Sequence, residues 1–451
     1  MTVGRKLFGT DGIRGVAGEA LTAELALELG RAGAIVCGGE RPQVLIVRDT
    51  RESGPMLESA LASGVAQGGG DAWLGGVLPT PAASVLVRRL GLDLAAVVSA
   101  SHNPWPDNGI KFFGRDGRKL DDEAAMRMEE LVVGAAVPAA EAETPGLPSR
   151  LAIGRVRVLE NALNDYLREL SASFPLDLAG RRIVLDCANG ATYRAAPAIF
   201  GRLGASVETI AADPDGRNIN EGCGSTHPER LAELVASGDA ELGFAFDGDG
   251  DRVIAIDAEG TVRDGDELMA LIARHLDRRG SLGGGVAVTV MSNYGFHNAM
   301  RELGIAVETT DVGDRHVSAE LERRGWALGG EQSGHLIWRE YAPTGDGIAA
   351  ALLTLTALGE ASLADAVPMR RLPQALRNVH VADRDALAGA AALWEAVEAA
   401  NDELDGRGRV LVRPSGTEPL VRVMVEAPDR SVCDEVCERL AGVVERELGG
   451  S

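Results

Sequence analysis

A short run of strand-forming residues ends in a turn that carries a serine, and this serine is the first candidate for a reactive group. Residues 95–98 are apolar and end in two valines, whereas residues 103–104 and 106–109 are turn formers that stop a strand or a helix. The pattern therefore predicts a buried strand that presents Ser101 at an exposed lip. Because a serine in a turn is most often only a turn residue, its interpretation as a reactive group depends on three other loops.

The second loop carries three aspartates at alternate positions: Asp247, Asp249 and Asp251. Crowded carboxylates are costly unless a cation neutralises them, and these directly follow the largely apolar residues 243–246. A calcium loop of the EF-hand type is excluded, because its sixth position is Arg252 instead of glycine and its twelfth is Ala258 instead of glutamate. We expect Mg²⁺, which commonly binds a few carboxylates together with a phosphate oxygen. A solvated acidic turn is the alternative.

The third loop, residues 413–419, combines a guanidinium, two hydroxyls and glycine-freed backbone amides, a set that matches a phosphate monoester. These groups come from Arg413, Ser415, Gly416 and Thr417. Arg422, on the next predicted strand, either binds the same anion or is only a surface arginine. The sequence thus predicts a site for a phosphate group near residue 415.

The fourth loop, residues 330–335, has the character of a sugar site. Glu331 and Ser333 flank Gln332, so a carboxylate and a hydroxyl can bind adjacent hydroxyls of a ring. His335 closes this loop and can carry a proton near neutral pH, or it can be satisfied structurally by neighbouring carbonyl groups.

Three further residues are candidates for proton transfer or anion binding. His102 follows the serine and allows the same two interpretations as the other loop histidine. Lys111 lies in a partly apolar context, where the pKa of an ammonium group can fall toward the working pH, so it is a candidate base. Arg14 stands among glycine and aspartate residues, which predicts a tight loop with the arginine pointing outward, either to an anion or simply to solvent.

Length and composition bound the class of protein. A chain of 451 residues with 45% hydrophobic and 25% charged residues is expected to form three or four globular units. Its net charge of −22 disfavours nucleic acid and anionic membranes as partners. We expect a cytoplasmic protein, since the amino terminus lacks a hydrophobic signal core and the odd number of cysteines, 5, suits free thiols in a reducing compartment.

The elements that must position these loops alternate between strands and helices. Up to about residue 135 this alternation predicts a parallel sheet with covering helices, followed by a linker at residues 136–150. The next unit is expected to open with a helix at 156–171. Three predicted strands each enter a polar loop that contains glycine, which indicates a structural repeat: 95–98, 243–246 and 326–328.

From about residue 370 the pattern changes to an α+β unit. The predicted elements are strand 376–381, helix 383–404, strands 409–413 and 420–427, and helix 431–447. The fold class is therefore α/β, with three related mixed-sheet α/β domains and a C-terminal α+β domain. The predicted boundaries are 1–150, 151–253, 254–368 and 369–451.

The four loops together resemble the signature of the α-D-phosphohexomutases, and the likeness extends over nearly the whole chain. The matching segments are Ser-Ala-Ser-His-Asn-Pro (99–104), Asp-Gly-Asp-Gly-Asp-Arg (247–252), Gly-Glu-Gln-Ser-Gly-His (330–335) and Arg-Pro-Ser-Gly-Thr-Glu-Pro (413–419). Within the family the chain resembles the members that act on glucosamine phosphates, since Gln332 stands where glucose and mannose mutases usually carry methionine. Trp105-Pro106 departs from the family, where tyrosines often follow the serine loop.

The resemblance implies four domains around a central cleft and a role for each candidate residue. Ser101 would be the phosphorylated residue and, with the three aspartates, would bind one Mg²⁺ per chain. Arg252 would neutralise charge on the transferred group, and Lys111, Arg14 or His102 would handle the hydroxyl proton. The substrate contacts would be Glu331, Ser333, His335, Arg413, Ser415, Gly416, Thr417 and Arg422.

The implied reaction interconverts glucosamine 6-phosphate and glucosamine 1-phosphate, with glucosamine 1,6-bisphosphate as intermediate and activator, and feeds UDP-N-acetylglucosamine and cell-wall precursors. The expected partner is a small sugar phosphate, and a homodimer is left open. Three alternatives remain from the sequence: a glucose or mannose phosphomutase of the same superfamily, a metal-dependent phosphatase with a serine nucleophile, and a non-catalytic protein that binds sugar phosphate or calcium.

Overall fold

The computed structural model describes residues 7–9, 11–135, 153–415 and 418–449. The described chain forms two compact units, one built from residues 1–290 and 308–367 and the other from residues 291–307 and 368–451. The predicted linker at 136–150 lies outside the described residues, so the domain boundaries stay a prediction. No helix of the described residues is long and apolar enough to cross a membrane.

The first sheet has six strands in the order β1-β5-β4-β2-β3-β6 and is mixed. Its strands are β1 (Ile13–Val16), β2 (Gln43–Arg48), β3 (Asp71–Val77), β4 (Leu94–Val98), β5 (Asp107–Gly114) and β6 (Val156–Val158). Its helices are α1 (Ala23–Cys37), α2 (Gly54–Gln67), α3 (Thr80–Arg89) and α4 (Asp122–Ala135). Thr22 caps α1 by accepting a hydrogen bond from the amide of Leu25, as its position before the apolar run predicts. The mixed sheet of the predicted fold class is confirmed: β2, β3, β4 and β6 pair in parallel as the alternation predicts, and β5 returns antiparallel to β4.

The second sheet has the strand order β11-β10-β9-β7-β8. Its strands are β7 (Arg182–Asp186), β8 (Ser206–Ile210), β9 (Leu242–Phe246), β10 (Val253–Asp257) and β11 (Val262–Arg263), and its helices are α5 (Ala162–Ser173), α6 (Ala195–Arg202) and α7 (Glu229–Ser237). The helix predicted at 156–171 begins later, at Ala162, because residues 156–158 pair with β3 as an edge strand of the first sheet.

The third sheet has the order β13-β12-β14-β15. Its strands are β12 (Gly285–Thr289), β13 (Ala306–Thr310), β14 (Leu328–Gly330) and β15 (Leu336–Trp338). The accompanying helices are α8 (Gly265–Arg278), α10 (Asp314–Arg324), α11 (Gly347–Leu358) and α12 (Leu363–Ala366), whereas α9 (Tyr294–Leu303) belongs to the second compact unit. The strand predicted at 326–328 is thus shifted toward the loop, since residue 328 is the first that pairs with β12.

The last sheet has the order β16-β18-β17, and all of its pairings are antiparallel. Its strands are β16 (Gln374–His380), β17 (Arg409–Pro414) and β18 (Leu420–Glu426), covered by α13 (Ala391–Leu404) and α14 (Arg430–Leu448). The helix predicted at 383–404 is divided: Asp383 caps a 3₁₀ helix (Arg384–Gly389), and α13 starts after Ala390. The α+β character of this unit is confirmed.

The three α/β sheets place their loops in the same way. Each loop follows a strand that has a parallel neighbour on one side and an antiparallel neighbour on the other: β4 between β2 and β5, β9 between β7 and β10, and β14 between β12 and β15. Each loop is therefore the connection between a central strand and its antiparallel partner. This shared arrangement confirms the predicted structural repeat.

Candidate active site

Ser101 is held inside the protein at the aspartate loop, residues 247–252. Its side chain is only 1% exposed, and its hydroxyl donates a hydrogen bond of 2.6 Å to Oδ2 of Asp247. The backbone of Ser101 has φ 53°, in the left-handed region that side-chain-bearing residues seldom adopt. The expectation of an exposed lip is wrong, because the loop is covered by the strand end of the second sheet, which lies 146 residues further along the chain.

The three aspartates converge as the sequence predicts. Asp247, Asp249 and Asp251 are buried, and one carboxylate oxygen from each lies within 4.8 Å of the others. Oδ1 of Asp249 and Oδ1 of Asp251 are buried, and neither has a hydrogen-bond partner among the described residues. An all-oxygen set with unsatisfied buried acceptors fits a hard divalent cation such as Mg²⁺.

The pKa of Asp247 describes the electrostatics of this cluster. Burial raises its pKa well above the ordinary value, and the neighbouring charges of Asp251 and Asp249 raise it further. Like charges in a low-dielectric site repel strongly, so the cluster favours any group that adds positive charge between the carboxylates.

Lys111 supplies part of that positive charge. Its Nζ atom lies 3.0 Å from Oδ2 of Asp249 and 3.2 Å from Oδ2 of Asp11. Burial alone would lower the pKa of Lys111, but the neighbouring carboxylates, Asp249 first, outweigh burial and raise it above the ordinary value. The predicted fall of this pKa toward the working pH is wrong, because the lysine is surrounded by acidic groups instead of an apolar wall.

Arg252 is the second cation at the loop. Its backbone amide donates to Oδ1 of Asp247 at 3.2 Å, and its Nε atom is buried without a hydrogen-bond partner. Burial would lower its pKa, but nearby carboxylates, Asp251 first, raise the pKa above the ordinary value. Nε of Arg252 lies 3.7 Å from Oδ1 of Asp251, and a permanently charged guanidinium group at the aspartate loop is suited to bind an anion.

The two loop histidines have opposite environments. His102 is half-buried with Nδ1 3.4 Å from the Ser101 hydroxyl oxygen, and burial followed by the charge of Arg252 lowers its pKa. His335 is buried between two carboxylates, with Nδ1 3.5 Å from Asp251 and Nε2 3.6 Å from Asp314. Burial opposes the charged ring, but the acidic partners, Asp251 first, raise the pKa of His335 to about 9.

Arg14 lies on β1 and points toward the serine loop, not outward. Its Nη1 atom donates to the side-chain oxygen of Asn103 at 3.4 Å, and its Nη2 atom forms an ion pair with Asp11. The same Asp11 carboxylate binds Lys119 at 2.6 Å. Arg14 therefore belongs to a charged network on the first-domain side of the serine.

The predicted sugar loop packs against the start of α8. The Glu331 carboxylate accepts hydrogen bonds from the Gly313 amide at 3.1 Å and from the Ser333 hydroxyl at 3.2 Å. Gln332 donates through Nε2 to the Asp264 carboxylate at 3.1 Å. Asp264 is the N-cap residue of α8, so this link fixes the orientation of the glutamine amide.

The predicted phosphate loop lies in the second compact unit. Arg413 and Arg422 are paired directly across β17 and β18, and both line a cavity of 120 Å³. Burial, followed by the positive charge of Arg422, lowers the pKa of Arg413, and Nε of Arg422 is buried without a hydrogen-bond partner. Ser415 is buried nearby on the same chain, whereas Gly416 and Thr417 lie outside the described residues. Two adjacent guanidinium groups that repel each other favour a bound anion.

Sequence reasoning missed several residues that hold the site together. Thr80 donates its hydroxyl to Oδ2 of Asp249 at 2.7 Å, and the Asn220 amide donates to the carbonyl of Ser101 at 2.9 Å. Arg51 is fully buried beneath the serine loop. A signal for Arg51 existed, because Asp49-Thr50-Arg51 is a polar triplet directly after the buried strand β2, the same pattern that identified the serine and aspartate loops.

Family models match the chain in four consecutive segments. All four are described as Phosphoglucomutase/phosphomannomutase: alpha/beta/alpha domain I at residues 5–135, domain II at 164–260, domain III at 264–371 and the C-terminal domain at 376–443. Curated relatives align with nearly the whole chain. The phosphoglucosamine mutase of Desulforudis audaxviator is 52% identical and aligns over 97% of each chain. That of Rubrobacter xylanophilus is also 52% identical, over 98% of each chain.

Solved structures share the fold. A phosphoglucomutase/phosphomannomutase family protein from Burkholderia thailandensis has a TM-score of 0.80 at 25% identity and covers 99% of this chain and 98% of its own. The Aspergillus fumigatus N-acetylphosphoglucosamine mutase, solved in complex with GlcNAc-6P and magnesium, has a TM-score of 0.62 at 18% identity and covers 98% of this chain and 96% of its own.

Proposed function

The chain belongs to the phosphoglucomutase/phosphomannomutase family, and from this premise we propose that it interconverts glucosamine 6-phosphate and glucosamine 1-phosphate through a phosphorylated Ser101. The observation that carries the proposal is the 2.6 Å hydrogen bond between the Ser101 hydroxyl and the aspartate loop, in a chain 52% identical to phosphoglucosamine mutases. A phosphate on this serine would stand beside Asp247, at the centre of the charged groups described above.

In the forward reaction a hydroxyl oxygen of the sugar phosphate attacks the phosphorus on Ser101. The bond from phosphorus to the serine oxygen breaks, a bond to the sugar oxygen forms, and glucosamine 1,6-bisphosphate results. The bisphosphate then turns over, so that its other phosphate returns a phosphoryl group to the serine. Added glucosamine 1,6-bisphosphate would act as activator by phosphorylating Ser101.

Charge neutralisation supplies most of the catalysis in such a transfer. The serine phosphate and the three aspartates would hold one Mg²⁺, which when bound neutralises charge on the transferred phosphoryl group. The ammonium group of Lys111 compensates the charges of Asp249 and Asp11, and the Nε atom of Arg252, 3.7 Å from Asp251, has no hydrogen-bond partner among the described residues. Of the three candidates for the hydroxyl proton, His102 contacts the serine oxygen itself, whereas Arg14 is paired with Asp11 and the raised pKa of Lys111 keeps its ammonium group protonated.

The remaining substrate groups would be bound by the other two loops. Glu331, Ser333 and His335 are proposed to contact the sugar. Arg413, Ser415 and Arg422, together with Gly416 and Thr417, are proposed to hold the phosphate that is not transferred. In turn, this site must bind the phosphate at either end of the sugar. The paired guanidinium groups of Arg413 and Arg422 support the assignment, because guanidinium groups form strong hydrogen bonds with phosphate.

The amine at carbon 2 is the group that distinguishes this substrate from glucose and mannose phosphates. Since Nε2 of Gln332 is bound to Asp264, the amide oxygen is its remaining acceptor, and we propose that it accepts from the substrate amine. We expect kcat/KM for glucosamine 6-phosphate to exceed those for glucose and mannose 6-phosphates by at least about tenfold, roughly 1.4 kcal/mol.

A product assay with the three 6-phosphates, Mg²⁺ and the matching bisphosphates tests the proposal. Comparable efficiency on all three would reject the substrate assignment, and release of free phosphate in each turnover would identify a phosphatase. Gln332→Met is expected to lose the preference, and if it keeps the preference the explanation by this residue alone is rejected.

A further inference from the structure

We propose that Arg51, together with Asn220, is a positioning residue for phosphoryl transfer: the pair clamps the backbone of the serine loop and so aims the Ser101 oxygen at the aspartate loop. The inference rests on the proposed function, since it concerns the residue that would carry the phosphoryl group.

Every N–H of the Arg51 guanidinium is used inside the protein. Nε donates to Oδ2 of Asp49 at 2.8 Å. The other four N–H groups donate hydrogen bonds to backbone carbonyls of the serine loop. The acceptors are the carbonyls of Pro104 at 2.5 Å, Asp107 at 2.9 Å, Ser101 at 2.9 Å and Asn103 at 2.8 Å. Because an arginine has five N–H donors, none remains for a ligand, and Arg51 acts only through the loop.

The loop needs such a clamp because its reactive residue is strained. Ser101 has φ 53°, a left-handed conformation that is unfavourable for a residue with a side chain and persists only where the surroundings enforce it. A second donor acts at the same place, since the Asn220 amide binds the carbonyls of Ser101 and Asn103 at 2.9 and 3.1 Å. The carbonyl of Ser101 therefore accepts hydrogen bonds from two side chains, Arg51 and Asn220, which come from different parts of the chain.

The amino side of the strained residue is fixed as well. The Ser101 amide donates to the hydroxyl of Ser99 at 3.0 Å, and that hydroxyl donates to Asp49 at 2.5 Å. Asp49 is also the ion-pair partner of Arg51, and both side chains are completely buried. One network thus holds the backbone before and after the serine, and a misplacement of even about 1 Å in such a group can cost about a hundredfold in rate.

A lysine cannot replace this arginine geometrically. The guanidinium is a planar fork with five fixed donors, whereas an ammonium has three donors on a flexible stem and cannot reach four carbonyls at once. The geometry therefore predicts that Arg51→Lys keeps the buried charge but releases part of the loop.

The test compares Arg51→Lys with Arg48→Lys, which alters the partly buried ion pair to Glu58 at the end of the preceding strand β2 and leaves the carbonyls of the serine loop untouched. We expect Arg51→Lys to lower kcat by at least about thirtyfold, or about 2 kcal/mol, with KM changed by less than about threefold. The rate at which glucosamine 1,6-bisphosphate phosphorylates Ser101, followed by intact mass, is expected to fall in parallel. Lost stability alone would change neither quantity in protein that remains folded.

A second pair of variants keeps the inference testable if Arg51→Lys does not fold. Asn220 and Asn189 both have positive φ, 61° and 47°, which glycine adopts freely. Asn220→Gly removes the amide that binds the loop, whereas the amide of Asn189 binds Asn218 instead. We expect a fall of at least about tenfold in kcat for Asn220→Gly relative to Asn189→Gly.

The outcomes separate this inference from the proposed function. If wild-type protein neither acquires phosphate on Ser101 nor converts a hexose phosphate, the proposed function fails. If wild type does both, and the Arg51 and Asn220 variants match their controls in kcat and in phosphorylation rate, the positioning role is overturned.

Discussion

At the scale of single residues, the site brings several carboxylates close together and places cations among them. Three buried carboxylates lie next to two cations, Lys111 and Arg252, and two of their oxygens have no hydrogen-bond partner in the described part of the chain. Burial and mutual repulsion raise the pKa of Asp247, whereas at Asp251 burial is outweighed by His335, Lys111 and Arg252, which lower the pKa of that carboxyl. A divalent cation satisfies the same need and leaves the carboxylates charged, which is the physical reason for expecting metal binding here.

The role of the triad is tested by Asp249→Asn. Titration calorimetry with Mg²⁺ is expected to show affinity weakened by at least about tenfold, or about 1.4 kcal/mol, because one anionic ligand is lost. Asp186→Asn is the control, since Asp186 is equally buried but accepts hydrogen bonds from the amides of Ala188 and Gly224. Unchanged Mg²⁺ affinity in the Asp249 variant would rule out this metal site.

At the scale of elements, the sugar loop depends on a close approach by α8. The Gly265 amide donates to the carbonyl of Gln332 at 3.0 Å. A Cβ atom at Gly265 would lie 2.3 Å from the carbonyl oxygen of Glu331 and 2.7 Å from the amide of Gly334. Both atoms belong to backbone, so a side chain at this position displaces the loop that carries the sugar contacts.

Gly265→Ala is therefore expected to raise KM for the sugar phosphate by at least about fivefold, roughly 1 kcal/mol, through displacement of Glu331. The matched control is Gly201→Ala in α6, where a Cβ atom meets nothing within 4 Å and alanine is expected to stabilise the helix. Steady-state kinetics and thermal melting of both variants give the answer. Equal KM values for the two variants would show that the close approach of α8 does not determine the position of the sugar loop.

The sequence predicts the strands and their loops better than the contacts between loops. The apolar runs at 95–98 and 243–246 end in turn formers, and both form strands as predicted. The burial of Ser101 could not be predicted, because it depends on Asp247 and Asn220, which lie more than 100 residues away along the chain and meet the serine only through the packing of two sheets.

Other misses have local causes. The pKa of Lys111 depends on Asp11 and Asp249, which lie on separate elements, so its apolar neighbours in sequence were a poor guide. The edge strand at 156–158 is so short that its pattern of apolar residues cannot distinguish a strand from the start of a helix. Residues 156–158 form a strand because they pair with β3. Arg51 was within reach, since it follows a buried strand in the same way as the serine loop.

At the scale of the whole chain, backbone hydrogen bonds connect the aspartate loop and the strand that follows it with three other segments of the first unit. The Thr80 amide donates to the carbonyl of Asp249 at 2.8 Å, the Val253 amide to that of Gly334 at 3.1 Å, and the Gly347 amide to that of Gly250 at 2.9 Å. Asp346, the N-cap residue of α11, stands next to the last of these bonds and accepts a hydrogen bond from the Tyr166 hydroxyl at 2.7 Å.

Asp346 predicts a measurable pH dependence of stability. Burial, only partly opposed by its hydrogen bonds, raises the pKa of Asp346 from 3.8 to about 6. The folded chain therefore keeps a proton that the unfolded chain has lost in this range, so this contribution to stability is largest below about pH 4 and is lost as the pH rises through 6, a difference on the order of 3 kcal/mol.

Asp346→Asn removes this titration and keeps an oxygen that can cap α11. The thermal midpoint of Asp346→Asn minus that of wild type is expected to increase as the pH is raised from 4.5 to 7.5. Asp239→Asn, at a carboxylate that is 87% exposed, serves as the control and is expected to show no such trend. A constant difference between Asp346→Asn and wild type across this range would contradict the assignment.

The most direct test of the central claim follows the phosphoryl group itself. Protein incubated with glucosamine 1,6-bisphosphate that carries isotopically labelled phosphate is freed of the ligand and then mixed with unlabelled glucosamine 6-phosphate and Mg²⁺. We predict label on Ser101 in the first step and its transfer to the sugar in the second. Ser101→Ala is expected to take up no label and to retain less than about a hundredth of the turnover rate, roughly 2.7 kcal/mol of barrier, while keeping its fold. Label that never reaches Ser101, or that leaves it only as free phosphate, would contradict a phosphoserine mutase.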